Sequence, residues 1–211
     1  MFFSSTLRKT ASIAALSAFI LLGCTNNDAE AQQKKKVAPS QTTSNQAAST
    51  VLSGAKVYTL KNVQMAKSPV MPDFSWTMDG KEVKFSEYTK GKTVFLNYWA
   101  TWCPPCRREI PDIIELAKEH GDKVVFIGIA LENEDKASAA EKLVSAYANK
   151  SNINYINLVG DAKLIQPLSG LYGEVQAIPT TFIFGKDGKI VQRIDGSTNK
   201  EGFLGELKKA M

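Results

Sequence analysis

Alternation of strand and helix patterns predicts an α/β fold: a central mixed β-sheet flanked by helices, opened by an N-terminal β-hairpin. Three observations carry the prediction. Nearly unbroken apolar runs rich in β-branched and aromatic residues, at Thr93–Trp99 and Lys123–Ala130, read as buried strands. Segments with apolar residues at helical spacing lie between them. Two further strand pairs are joined by turn signals, Asp79-Gly80 and Lys186-Asp187-Gly188-Lys189.

In order, Phe74–Met78 and Lys81–Phe85 form the first hairpin, and the buried strand at 93–98 follows. A helix over 104–120 places Ile110, Ile113, Ile114 and Ala117 on one face and stops at Gly121. Pro111 lies inside it and predicts a kink. After the second buried strand, Ala137–Asn149 is helical with Ala140, Leu143, Val144 and Tyr147 on one side. Tyr155–Val159 reads as a short strand and Ala162–Tyr172 as a short helix. Thr180–Phe184 and Ile190–Ile194 make the second hairpin, and a last helix runs from Asn199 to Lys209.

Composition divides the chain into residues 1–23, 24–68 and 69–211. The net charge is +5, but removing residues 1–23 takes away Arg8 and Lys9 and leaves +3. Residues 24–68 carry six lysines against Asp28 and Glu30, or +4, and residues 69–211 carry 18 basic and 19 acidic side chains, or −1. The basicity belongs to the tail, so a nucleic-acid partner is not expected. Residues 25–50 are Ser, Thr, Asn, Gln, Ala and Lys, too polar to repay the entropy of ordering, and read as a flexible tether. Val51, Leu52, Val57, Tyr58, Leu60 and Val63 are more apolar and suggest one added strand. Lys34-Lys35-Lys36 can lie against anionic headgroups or simply solubilise the tether.

The apolar run from Ala11 to Leu22 is too short to span a bilayer as an ordinary helix. Its end, Leu21-Leu22-Gly23-Cys24, resembles the lipobox of bacterial lipoproteins, with Leu22 larger than the usual residue. The resemblance implies a signal peptide over 1–23 and a lipid on Cys24; a plain secretory signal or an uncleaved anchor remain the alternatives. With Cys24 lipidated, Cys103 and Cys106 are the remaining two of the three cysteines.

Those two thiols stand three positions apart, where a strand runs into a helix, and can open and close a disulfide within one turn. C-x-x-C in that setting reads as a redox site. A zinc site would want a second cysteine pair or several histidines; the chain has one His, His120, which reads as a helix-terminal cap. No metal and no cofactor are expected. Proline at both Pro104 and Pro105 removes two N–H donors beside Cys103. A thiolate there relies on the Cys106 N–H and the helix dipole. A reducing pair is expected from this, nearer to about −270 mV than to about −120 mV.

Leu96–Pro111, containing Trp99-Ala100-Thr101-Trp102-Cys103-Pro104-Pro105-Cys106, together with Ala177-Ile178-Pro179-Thr180-Thr181-Phe182, resembles the TlpA/ResA/DsbE group of thioredoxin-like proteins. These are membrane-tethered, extracytoplasmic thiol-disulfide oxidoreductases. The resemblance covers residues 69–211 and implies a thioredoxin-like fold, with Cys103 as attacking thiol and Cys106 as resolving thiol in a Cys103–Cys106 disulfide. It also implies that Glu109 exchanges a proton with the resolving thiol. From its position alone Glu109 can equally be a solvated first-turn carboxylate. Asn97 stands where thioredoxin itself has a buried Asp. Pro179 would be a cis-proline whose loop pairs with substrate, and Trp102, Pro104, Pro105 and Ile178 would complete the substrate-binding surface; Trp99 lines the site or belongs to the core. The expected partners are protein disulfides, for example in cytochrome c maturation, a membrane thiol-disulfide electron donor, and the membrane itself. An oxidase or isomerase is the alternative in direction. A copper-handling module would want C-x-x-x-C and a distal His, and a peroxidase would want a hydroxyl where Ala100 stands.

Overall fold

The computed structural model describes residues 55–64, 73–170 and 174–211. Among these, eight strands form one sheet in the order β3-β2-β1-β6-β5-β4-β7-β8. The strands are β1 Lys56–Gln64, β2 Asp73–Met78, β3 Lys81–Lys84, β4 Thr93–Trp99, β5 Val124–Ala130, β6 Ile156–Val159, β7 Thr180–Phe184 and β8 Ile190–Asp195. The helices are α1 Phe85–Tyr88, α2 Pro104–His120, α3 Ala137–Lys150, α4 Ala162–Gly170 and α5 Lys200–Ala210. β1, β6, β5 and β4 run parallel, while β7 and β8 on one side and β2 and β3 on the other pair antiparallel. The expected mixed sheet with helices on both faces is the fold.

Period-two alternation along β4 divides the apolar residues between two cores. Phe95 and Trp99 point to the face covered by α2, α3 and α5, among Ile110, Ile113, Val144 and Phe203. Val94, Leu96 and Tyr98 point to the opposite face, among Phe74, Trp76, Phe85, Leu168 and Phe184. Because both faces are covered, every residue of β4 is buried. At about 1.5–3 kcal/mol for each large apolar side chain taken out of water, β4 ties the sheet to both layers.

Three expectations need correction. The apolar run at 51–68 does supply a strand, but β1 lies inside the sheet, parallel to β6 and antiparallel to β2. The folded body therefore starts before residue 69, and 24–68 is not tether throughout; β1 fills a sheet edge that would otherwise be open. Phe85 is not the end of a strand: it opens α1, and its ring stacks on Phe74 at 4.4 Å. On α3 the buried stripe is Ala140, Val144 and Ala148, and Leu143 falls off it, 45% exposed. The turn of the first hairpin is as read, with Asp79 and Gly80 both at positive φ (52° and 74°). The signal-peptide reading of 1–23 and the lipidation of Cys24 lie outside the described residues, within which no helix is long and apolar enough to cross a membrane.

Candidate active site

β4 delivers its C-terminal end to the sheet edge where α/β proteins place their sites. Ala100–Trp102 turns the chain there, and the Cys103 N–H donates to the Ala100 carbonyl at 3.2 Å. Glu132, just past β5, clamps this turn. The Thr101 N–H and hydroxyl donate to its two carboxylate oxygens at 2.7 and 2.9 Å. Glu132 escaped the sequence reading, because its partner is 31 positions away; the available signal was an acid immediately following a buried parallel strand.

Cys103 is the N-cap of α2. Its sulfur accepts the Cys106 N–H at 3.2 Å, and Pro104 and Pro105 occupy the first two helical positions. That is the arrangement the prolines imply: one backbone donor where three positions could have supplied more. Cys103 and Cys106 are joined in a disulfide, their Cα atoms 5.3 Å apart. In this oxidised state Cys103 is 3% exposed, with the Ile178 carbonyl oxygen 3.7 Å from its sulfur. The neighbouring Trp102 is the open element, 52% exposed.

The Ile178-Pro179 peptide is cis. Pro179 is buried and Ile178 half-buried, and the Gly196 N–H donates to the Pro179 carbonyl at 2.9 Å. The loop thus brings the Ile178 carbonyl against Cys103. Trp99, by contrast, is core: fully buried, with its indole N–H donating to Asn157 Oδ1 at 3.1 Å. His120 ends α2 about 25 Å from the disulfide by helix length, with Glu119 at 4.0 Å.

Glu109 is 1% exposed, which removes the solvated alternative. It lies three positions after Cys106, so the two buried side chains share one face of α2. Oε1 accepts from Asn97 Nδ2 at 2.9 Å. Burial pushes its pKa up to about 7, against the pull of the Asn97 amide and of donors at Thr198 and Ser197. The site therefore holds a dithiol, a carboxyl able to take or give a proton near neutrality, and an extended loop facing the sulfurs. Among the described residues no group of His, Cys, Asp and Glu side chains is placed to hold a metal ion.

A protein-family model described as redoxin matches residues 65–210. The thiol-disulfide oxidoreductase ResA of Bacillus thuringiensis (strain Al Hakam) is 36% identical over 168 residues, covering 75% of this chain and 90% of that protein. Among solved structures, a thiol:disulfide interchange protein of the thioredoxin family from Chlorobium tepidum TLS superposes with a TM-score of 0.57 at 32% identity, over 69% of this chain and 97% of the other. The exposed lipoprotein thioredoxin of Streptococcus pneumoniae strain TIGR4 does so with a TM-score of 0.53 at 31% identity, over 65% and 98%.

Proposed function

The chain belongs to the redoxin family and is a thiol-disulfide oxidoreductase of the ResA type, and from that premise we propose that it works outside the cytoplasm as a lipid-anchored reductase of protein disulfides. The observation that carries this reading is the disulfide at the α2 N-terminus, with Glu109 buried behind it and the cis-Pro179 loop in front. For the anchor, the support is the lipobox-like ending at Cys24 and the likeness to a pneumococcal protein described as an exposed lipoprotein.

In the reduced protein the Cys103 thiolate attacks one sulfur of a substrate disulfide. The substrate S–S bond breaks, its other sulfur leaves and takes up a proton, and a mixed disulfide remains on Cys103. Cys106 then gives its proton to the Glu109 carboxylate and attacks Cys103 Sγ. The mixed disulfide breaks, the second substrate thiol departs, and the Cys103–Cys106 bond forms. Two electrons have passed to the substrate, and a membrane dithiol protein returns them. Trp102, Pro104, Pro105 and Ile178 form the contact surface, and the cis-Pro179 loop offers backbone to an extended substrate segment. Cytochrome c apoproteins, whose paired cysteines must be reduced before haem attachment, are the substrate class the family likeness suggests.

The test is trapping in cells. Cys106→Ala removes the resolving thiol, so mixed disulfides should accumulate on Cys103 and be identified by mass spectrometry as secreted or membrane-facing cysteine proteins. Adducts confined to cytoplasmic proteins would overturn the location. Labelled fatty acid should enter the chain and be lost in Cys24→Ser; persistence of the label in that variant rejects Cys24 as the anchor.

A further inference from the structure

A role for Asn97 rests on the reductase reading, in which its neighbour Glu109 takes the Cys106 proton and Asn97 itself has no part. Both residues are 1% exposed. Asn97 spends its amide hydrogens on Glu109 Oε1 at 2.9 Å and on Thr181 Oγ1 at 3.0 Å. Its carbonyl oxygen, Oδ1, has no hydrogen-bond partner, and neither has Glu109 Oε2. Buried polar atoms are rarely left so, because each orphan keeps its full desolvation cost. Here the two orphans are both acceptors, and they belong to two groups already joined by one hydrogen bond.

A carboxyl and a primary amide joined by one N–H···O bond can form a second, O–H···O, bond only when the carboxyl carries its proton. We propose that Asn97 and Glu109 form a single proton-holding unit, in which Glu109 Oε2–H donates to Asn97 Oδ1, and that Asn97 is the positioning residue for the acid that serves Cys106. Between themselves the two groups hold one bond in the carboxylate form and two in the acid form, while Thr198 and Ser197 favour the carboxylate. When Cys106 loses its proton to attack Cys103, the proton goes to Oε2 and forms the missing bond; when Glu109 releases it, that bond breaks. No electrons pass through the pair.

The backbone holds the amide in place. Asn97 is paired with Thr181 in the β4/β7 register, and Thr181 lies two residues after cis-Pro179, which ends the loop beside the sulfurs. The proton unit is therefore tied to the strand that this loop enters. The remaining groups around Glu109 are few. Asp112 on its own helix opposes ionisation, while Ser197 and Thr198 on the β8–α5 loop favour it. Tyr155, before β6, stays a neutral phenol because burial pushes its pKa up. Cys103 and Cys106 close the N-terminal side.

The test exchanges acid and amide within the pair, in the full chain. Glu109→Gln should slow disulfide exchange by about 10²-fold and erase the titration step near pH 7 in its pH profile. Asn97→Asp alone puts two carboxyls in one dry site and should split that step, with one midpoint pushed well above it. The double variant, Asn97→Asp with Glu109→Gln, restores one acid and one amide and should recover most of the rate and a single step. A double variant that melts like the unaltered protein yet keeps the Glu109→Gln profile would overturn the proposal. A measurement on the unaltered chain stands beside it, whatever the variants do. The ¹³C shifts of Glu109 Cδ and Asn97 Cγ should titrate with one midpoint, and an Asn97 shift that stays flat across the Glu109 midpoint also overturns it. Loss of all turnover in Cys103→Ala tests the reductase reading separately, since the shared titration needs no active thiol.

Discussion

Glu109 and Glu119 lie on the same helix, and α2 treats them in opposite ways. At the dithiol end, Glu109 faces the core, has Asn97 as its hydrogen-bonding partner, and has its pKa pushed up to about 7 by burial. At the far end, Glu119 is in solvent and accepts a charged hydrogen bond from Lys200 at 2.7 Å, which holds its pKa below the ordinary range. Lys200 also reaches Glu115 at 2.9 Å. One carboxylate is bound to a cation and stays ionised; the other is denied both water and a cation, and its pKa rises to about 7. Residue type is the same in both cases, so what separates the two ends of α2 is burial at one and the Lys200 cation at the other.

The comparison breaks most visibly at Glu109. Its folded pKa is raised above the unfolded value, so the native state binds the extra proton and is relatively favoured below the unfolded pKa of about 4.5. That advantage is lost as pH rises through about 7. Glu109→Gln should therefore be more stable than the unaltered protein at pH 8, by on the order of 3 kcal/mol, and nearly equal to it at pH 4. Denaturant melts at the two pH values check this; a variant destabilised equally at both would mean that folding leaves the Glu109 pKa unshifted.

Glu132 comes next. Glu132→Ala leaves the Thr101 N–H and hydroxyl without their acceptors, at a cost of about 1–3 kcal/mol. The loss should appear as a lowered melting temperature and as faster hydrogen exchange at the Thr101 amide. Pro105→Ala returns a donor to the second helical position, where a cap can accept it. The added donor favours the thiolate, so Cys103 in the reduced protein should form it at lower pH than in the unaltered chain, read from thiolate absorbance against pH. The smallest effect belongs at the other end of α2: Lys200→Met should lift the Glu119 pKa toward its ordinary value, seen by NMR titration, while the melting temperature barely moves and moves less in high salt.

Local pattern made much of this visible in the chain itself. β4, the helix caps and the Asp79-Gly80 turn are decided by neighbours within a few residues. So is the placement of Glu109 one helical turn from Cys106. The Pro179 loop was legible through its motif. Placement that depends on distant partners was not: β1 pairs with β6 a hundred positions later, with Lys56 opposite Ile156. Thr101 meets Glu132 across the β4–β5 crossover, and the Asn97 amide finds Glu109 only once α2 has folded over the sheet. Leu143 lost its place because a helix of small residues packs through Ala140, Val144 and Ala148, a stripe too narrow to include it.

The redox bond itself closes a very small ring. Cys103 and Cys106 are separated by three positions, so cross-linking them withdraws little freedom from the unfolded chain, about 2 kcal/mol in the loop-entropy account against about 4.7 for a hundred-residue loop. The staple is not what keeps the fold together; the two aromatic-rich layers on either side of β4 do that. Such a protein can make and break its only bridge among the described residues again and again while the scaffold around it keeps its shape, and a catalyst whose working bond is cut in every cycle requires that separation.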